Sequence, residues 1–119
     1  MTCLAYPDFR KAMVELLKQY TTEPNALMAV IFIQFEGLPE LDSLLGLEIV
    51  DNLIIESGQR LDEALQEKDL VGYLDRHHLI CLLPNLAAPS YAELAGYQIL
   101  RILGQPFFVN DRQFVLTPV

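Results

Sequence analysis

Asp69-Leu-Val-Gly-Tyr-Leu-Asp-Arg-His-His-Leu-Ile-Cys-Leu-Leu-Pro84 is the stretch on which the fold turns. Two apolar runs, one from Asp69 to Leu74 and one from Leu79 to Leu83, flank a polar interruption at Asp75-Arg76-His77-His78, and Pro84 closes the second run. Short apolar runs around a polar tip read as a β-hairpin. Cys81, between Ile80 and Leu82, is a small core residue, since nothing nearby in sequence is placed to make a thiolate. His77 and His78 are adjacent, and neighbours on an extended strand point to opposite faces. The pair therefore cannot chelate one ion, and no metal site is expected.

Upstream, Pro7 suits the first turn of a helix, and Phe9, Met13, Leu16, Leu17 and Tyr20 follow at helical spacing to an end near Thr21-Thr22, before Pro24. Nearly every position from Ala26 to Phe35 is apolar, the pattern of a central strand covered on both faces. Gly37 and Pro39 break it. From Leu41 to Gln66 a stripe of Leu44, Leu47, Val50, Leu53, Ile54, Leu61 and Leu65 predicts a core-facing helical segment, interrupted at Gly46, part of which could serve as a dimer face.

Downstream, Ser90 and Glu93 have the spacing of a capping box ahead of a helix carrying Leu94, Tyr97, Ile99, Leu100 and Leu103 to Gly104. A last hairpin is expected from Phe107–Val109 and Gln113–Leu116 around Asn110-Asp111-Arg112. Helices alternating with hairpins imply an α/β (α+β) sandwich, a mostly antiparallel sheet with helices packed on its faces.

A length of 119 residues makes one domain spanning 1–119, and 52% apolar with 20% charged residues excludes a disordered chain. The longest apolar run, Ala26 to Ile33, falls well short of the ~20 residues that cross a bilayer, and no secretory leader follows Met1. A cytoplasmic chain without membrane insertion is the expectation. The net charge of -8 repels nucleic acid polymers and anionic membranes. Two cysteines, Cys3 and Cys81, are too few for a disulfide scaffold or a structural zinc site.

The hairpin resembles the signature segment of the GGDEF family of bacterial diguanylate cyclase domains, with Asp75-Arg76-His77-His78-Leu79 where the family has Gly-Gly-Asp/Glu-Glu-Phe. The segment Leu41-Asp-Ser-Leu-Leu-Gly-Leu-Glu-Ile-Val-Asp-Asn-Leu-Ile54 is similar to the family's Ile-Asn-Asp-x-x-Gly-His-x-x-Gly-Asp-x-x-Leu and keeps Gly46 and Asp51. The stretch from Gly104 to Thr117 is similar to the family's Pro-Phe-x-Val hairpin. The resemblance implies a ferredoxin-like nucleotide-cyclase core. Against that pattern the chain stops before the family's last hairpin and closing helix, which leaves an open edge expected at Phe114 to Thr117.

An active member would condense two GTP molecules into cyclic di-GMP with Mg²⁺ held on carboxylates. The positions matched to those carboxylates are Gln34 and His77, and the paired glycines are replaced by Asp75 and Arg76. The guanine-recognising positions match Asp42 and Asp51, and the inhibitory product site matches Gln66 and Asp69, without its arginine. Asp51 reads either as a remnant guanine acceptor or as a polar residue on the solvent side of its helix. Arg76 reads either as a partner of Asp51 across the pocket or as a solvated turn residue. Asp69 reads as a product-site remnant or as a turn residue.

The resemblance implies a domain with a degenerate site and no catalysis, which regulates or binds a partner in cyclic di-GMP signalling. An EAL phosphodiesterase or sensor domain, a second copy, GTP and cyclic di-GMP are the expected partners, and Mg²⁺ enters only with residual GTP binding. A residual cyclase-type enzyme and a protein-binding scaffold unrelated to nucleotides are the alternatives.

Overall fold

Five consecutive apolar residues, Leu79 to Leu83, need cover on both faces of a strand, and the rest of the chain supplies it. The computed structural model describes residues 3–20, 27–109 and 111–119. In chain order the elements are α1 (Tyr6–Tyr20), β1 (Leu27–Gln34), α2 (Leu38–Leu45), α3 (Leu47–Ala64), β2 (Leu70–Tyr73), β3 (His78–Leu86), α4 (Pro89–Leu103), β4 (Phe107–Val109) and β5 (Arg112–Phe114). β1, β3 and β2 form an antiparallel sheet in that order, and β4 pairs with β5 in a separate two-stranded sheet. On one face Ile33, Val71, Leu79 and Cys81 join Leu53, Leu61, Ile99 and Leu103 of α3 and α4. On the other, Phe9 of α1 packs with Ile80 and Leu82. The α/β sandwich expected from the sequence is the observed architecture.

The expected central strand is wrong in place. Among the described residues β3 lies between β1 and β2, while β1 is paired on its other side at Gln34 and Phe35 with the stretch ending at Val119 and is only partly covered. α1 packs on β2 and β3 and reaches β1 only through the Phe9 cluster against which Met28 packs, and Val30 is 46% and Phe32 64% exposed. An apolar run shows that a strand meets apolar surface, but not whether a neighbour lies on each side. Among the described residues that side of β1 is paired at its end, where Val119 N–H donates to the Gln34 carbonyl at 2.7 Å and Glu36 N–H donates to Thr117 at 2.9 Å. Of the stretch Phe114 to Thr117, where an open edge is expected, Phe114 pairs with Phe107 of β4 and the Thr117 carbonyl accepts from Glu36. Ala26, Thr21, Thr22, Pro24 and Asn110, which bear on expected element ends, lie outside the described residues.

β3 also runs through Pro84 to Leu86, past the expected stop. The pairing of β1 with β3 steps from Ala29↔Leu83 to Leu27↔Leu86, so Pro84 and Asn85 together face one residue, a β-bulge in which Asn85 adopts φ 56°. Pairing with β2 has already ended at Leu70↔Leu82, so the N–H that proline lacks has no ladder to join. Gly46 separates α2 from α3 at φ 94°, as its position in the sequence predicts. Leu44 and Leu47 of the expected stripe are 77% and 57% exposed at that corner, because the two helices turn there and their stripes do not line up.

The capping box does not form. α4 starts at Pro89 with Ala88 as its N-cap and no side-chain cap bond, which puts Ser90 inside the first turn. Leu94, Tyr97 and Leu100 of α4 stay exposed, while Ile99 and Leu103 carry its packing. The final strand is shorter than expected, ending at Phe114. Arg60 ties α3 to the end of α4: its guanidinium donates to the carbonyls of Ile102, Gln105 and Pro106 at 3.0–3.3 Å and stacks 3.7 Å over the Phe107 ring.

Candidate functional site

The hairpin tip is built by its own aspartate. Asp75 Oδ1 accepts the His77 N–H at 2.8 Å and bonds His78 Nδ1 at 2.7 Å, while Leu74 N–H donates to the His78 carbonyl at 3.0 Å. An aspartate that bonds the backbone two residues on makes a tight polar turn. The two histidines thus have different partners, as expected for neighbours on opposite faces.

That turn aims Arg76 at the α2–α3 corner. Arg76 Nε and Nη2 donate to Asp51 Oδ1 at 3.1 and 2.7 Å, and Nη1 and Nη2 donate to Asp42 Oδ2 and Oδ1, both at 3.3 Å. One planar fork therefore spans two carboxylates on different helices. His77 Nε2 meets Asp42 Oδ2 at 2.6 Å from the other side. The hydrogen bond from Arg76 holds the Asp42 carboxyl below the usual carboxylate range, and His77 adds to the effect. The two carboxylates in turn push the Arg76 guanidinium upward, Asp42 more than Asp51. An ionised Asp42 only accepts, so His77 Nε2 carries the proton between them.

Of the two readings of Arg76, the pairing with Asp51 is the one observed. The sequence gives no sign that Asp42 is shared, because thirty-odd residues separate it from both Arg76 and His77. Only the Gly46 corner brings it into reach. Gln34 ends β1 opposite His78, beside the tip, and Leu79 is buried opposite Ile33. Mg²⁺ asks for hard, charged oxygens. Gln34 and His77 offer an amide and an imidazole, and the nearby carboxylates Asp42 and Asp51 are held by Arg76. This donor set does not fit the ion. Among the described residues no group of three or more His, Cys, Asp and Glu side chains could hold a metal.

Gln66 and Asp69 lie at the far end of the hairpin, apart from the tip. Asp69 is buried, and its Oδ2 accepts the Gln66 N–H at 3.0 Å, the bond of a turn residue. Burial pushes its carboxyl upward against that bond. A cavity of about 460 Å³ adjoins the two residues, bounded by Leu65, Asn85, Leu86, Tyr91 and Gln98. Cys81 is fully buried, and burial pushes its thiol up to about 12. No helix among the described residues is long and apolar enough to cross a membrane.

Residues 7–118 match the family model described as "Diguanylate cyclase, GGDEF domain". Three solved structures share the fold. A sensory box/GGDEF family protein from Caulobacter crescentus has a TM-score of 0.86 at 17% identity, covering 98% of this chain and 74% of that one. The GGDEF domain of DgcB from the same organism, in complex with c-di-GMP, has a TM-score of 0.84 at 8% identity, with 98% and 67% covered. An EAL/GGDEF domain protein from M. capsulatus has a TM-score of 0.75 at 21% identity, with 89% and 68% covered. No curated protein matches the chain in sequence.

Proposed function

Because the chain belongs to the GGDEF family of diguanylate cyclase domains, we propose that it is a regulatory or interaction module of cyclic di-GMP signalling that does not turn over GTP. The observation that carries this reading is the fork of Arg76 on Asp42 and Asp51. Those are the two positions that match guanine recognition in the family. With both carboxylates bonded to a resident arginine, a guanine base has to displace charge-assisted bonds before it can use either. Arg76 also stands where the family has a glycine that lets backbone approach a nucleotide.

Such a domain acts by preferring one state of a neighbour, as an EAL phosphodiesterase or sensor domain would require. GTP or cyclic di-GMP, the ligand of the DgcB domain, is the small molecule suited to bias it. The setting is cytoplasmic, where both nucleotides are made.

The test is incubation with GTP and Mg²⁺ or Mn²⁺ followed by chromatography, together with calorimetry for GTP and cyclic di-GMP. No product and saturable binding of one nucleotide is the expected result. Enzyme-dependent cyclic di-GMP would overturn the absence of turnover, and silence for both nucleotides would remove the signalling role in favour of a plain scaffold.

A further inference from the structure

Asp69 has one oxygen with a partner and one without. It sits at the base of the hairpin, 6% exposed, and its Oδ2 accepts the Gln66 N–H. Among the described residues Oδ1 accepts no hydrogen bond and the carboxylate makes no ion pair. No fully buried polar side-chain atom there lacks a partner, so Oδ1 reaches open space, and the space that Asp69 borders is the cavity of about 460 Å³. That cavity is a groove between the base of the hairpin and α4. Asp69 and Leu83, both buried, form its floor, and the bulge after Pro84 sets Asn85 and Leu86 in its wall. A buried charge without a counter-ion is costly, and burial accordingly raises the Asp69 carboxyl more than the Gln66 bond and nearby Lys68 lower it.

We propose that this groove binds a small organic ammonium ion, with its charged nitrogen on Asp69 Oδ1 and its apolar body along Leu65, Leu86 and Leu94. An ammonium N–H supplies both the donor and the positive charge that Oδ1 lacks, and the bond it forms is charge-assisted. Leu65, Leu86, Leu94 and Ala95 make the lining largely aliphatic, and Tyr91 adds an aromatic ring, a surface suited to a hydrocarbon or ring-bearing body. The volume of about 460 Å³ falls among those of small-molecule sites, roughly 300–1,000 Å³. An anion is disfavoured by the same groups. Gln66 stands where the family's product site has an arginine, Lys68 is the one cation of the lining among the described residues, and the chain carries a net charge of -8. The groove lies at the opposite end of the hairpin from the Arg76 corner, so this inference goes beyond the reading of that corner and does not rest on it.

An NMR titration of the full chain with phenethylamine, an ammonium ion with a ring at neutral pH, tests this. Phenethyl alcohol and hydrocinnamate serve as neutral and anionic probes of similar shape. The amine is expected to shift the amides of Asp69, Leu83 and Ala95 saturably, the alcohol to bind at least about tenfold more weakly for want of a charge-assisted bond, and the acid not to bind. Two variants check the site. Asp69→Asn keeps an oxygen for the Gln66 N–H and removes the charge, and Ala95→Phe fills the groove from α4 with Asp69 intact. Circular dichroism confirms that each stays folded, and each is expected to weaken amine binding by about tenfold or more. No amine-dependent shift at the groove, an alcohol that binds as tightly as the amine, or amine binding unchanged in both variants overturns the proposal. None of these outcomes bears on nucleotide turnover, because no residue of the Arg76 corner lines the groove.

Discussion

Gly72 lies in β2 directly beneath Phe9 of α1, and replacing it with alanine tests how tightly that helix is seated. A Cβ built there would stand 2.7 Å from Phe9 Cδ2 and 2.8 Å from both its Cβ and Cγ. Carbon atoms in good contact sit about 3.5–4.0 Å apart, so about 0.7 Å or more of separation is missing. A change of rotamer does not relieve a clash with Phe9 Cβ, which moves only with the helix backbone. Overpacking of this kind costs about 1–3 kcal/mol. Against it stands a gain of about 0.4–1 kcal/mol from the stiffer unfolded chain. The net expectation is a loss of about 1–2 kcal/mol, a factor of about 5–30 in the folded-to-unfolded ratio. Urea unfolding followed by circular dichroism reads it as a lower midpoint at unchanged slope. A Gly72→Ala chain as stable as the wild type, or more so, would refute the reasoning. So would strict additivity of Gly72→Ala with Phe9→Ala, since residues in direct contact couple by about 0.5–3 kcal/mol.

Arg60→Ala removes three bonds to carbonyls and the stack on Phe107, and is expected to lower stability by about 2 kcal/mol in urea unfolding, with Arg60→Lys recovering only part. Ser90→Ala should change stability by less than about 0.5 kcal/mol, against the ~1 kcal/mol of a true N-cap, because Ser90 lies past the cap. The folded pKa of Asp42 is depressed, so its contribution is present above the unfolded value of about 4 and is lost as pH falls through the folded value. Urea midpoints at pH 7 and pH 3 should therefore differ more in the wild type than in Arg76→Gln. The Cys3 and Cys81 thiols, pushed up to about 11 and about 12 chiefly by burial, should resist a thiol reagent at pH 7.5 until denaturant is added.

The sequence shows most of the elements because their signals are local. The Gly46 break, the polar tip at Asp75–His78 and the helical stripes of α1 and α3 each depend on a few neighbouring residues, and each appears in the structure. What it hides depends on partners far along the chain. Nothing in Ala26–Phe35 states that β3 takes the centre, and nothing near Ser90 outweighs a proline that starts the helix one residue earlier. At the site, the sequence does suggest a pairing of Arg76 with Asp51, because opposite charges on matched positions invite a pair. The share of Asp42 taken by Arg76 and His77 needed the corner geometry.

The bulge at Pro84 and Asn85 answers a question of alignment. Sliding a strand by one residue normally exchanges its apolar and polar faces, and that exchange is what holds it in place. From Leu79 to Leu83 every residue of β3 is buried, so a slip would swap one apolar face for another. Hydrophobicity is thus blind to the error in this strand. Two irregular residues at one end and an aspartate-closed turn at the other act as stops, and these fix which residues of β3 face α1 and which face α3 and α4. The placement of Arg76 opposite Asp42 and Asp51 is inherited from those stops: a strand one residue out of step would deliver a different side chain to the corner.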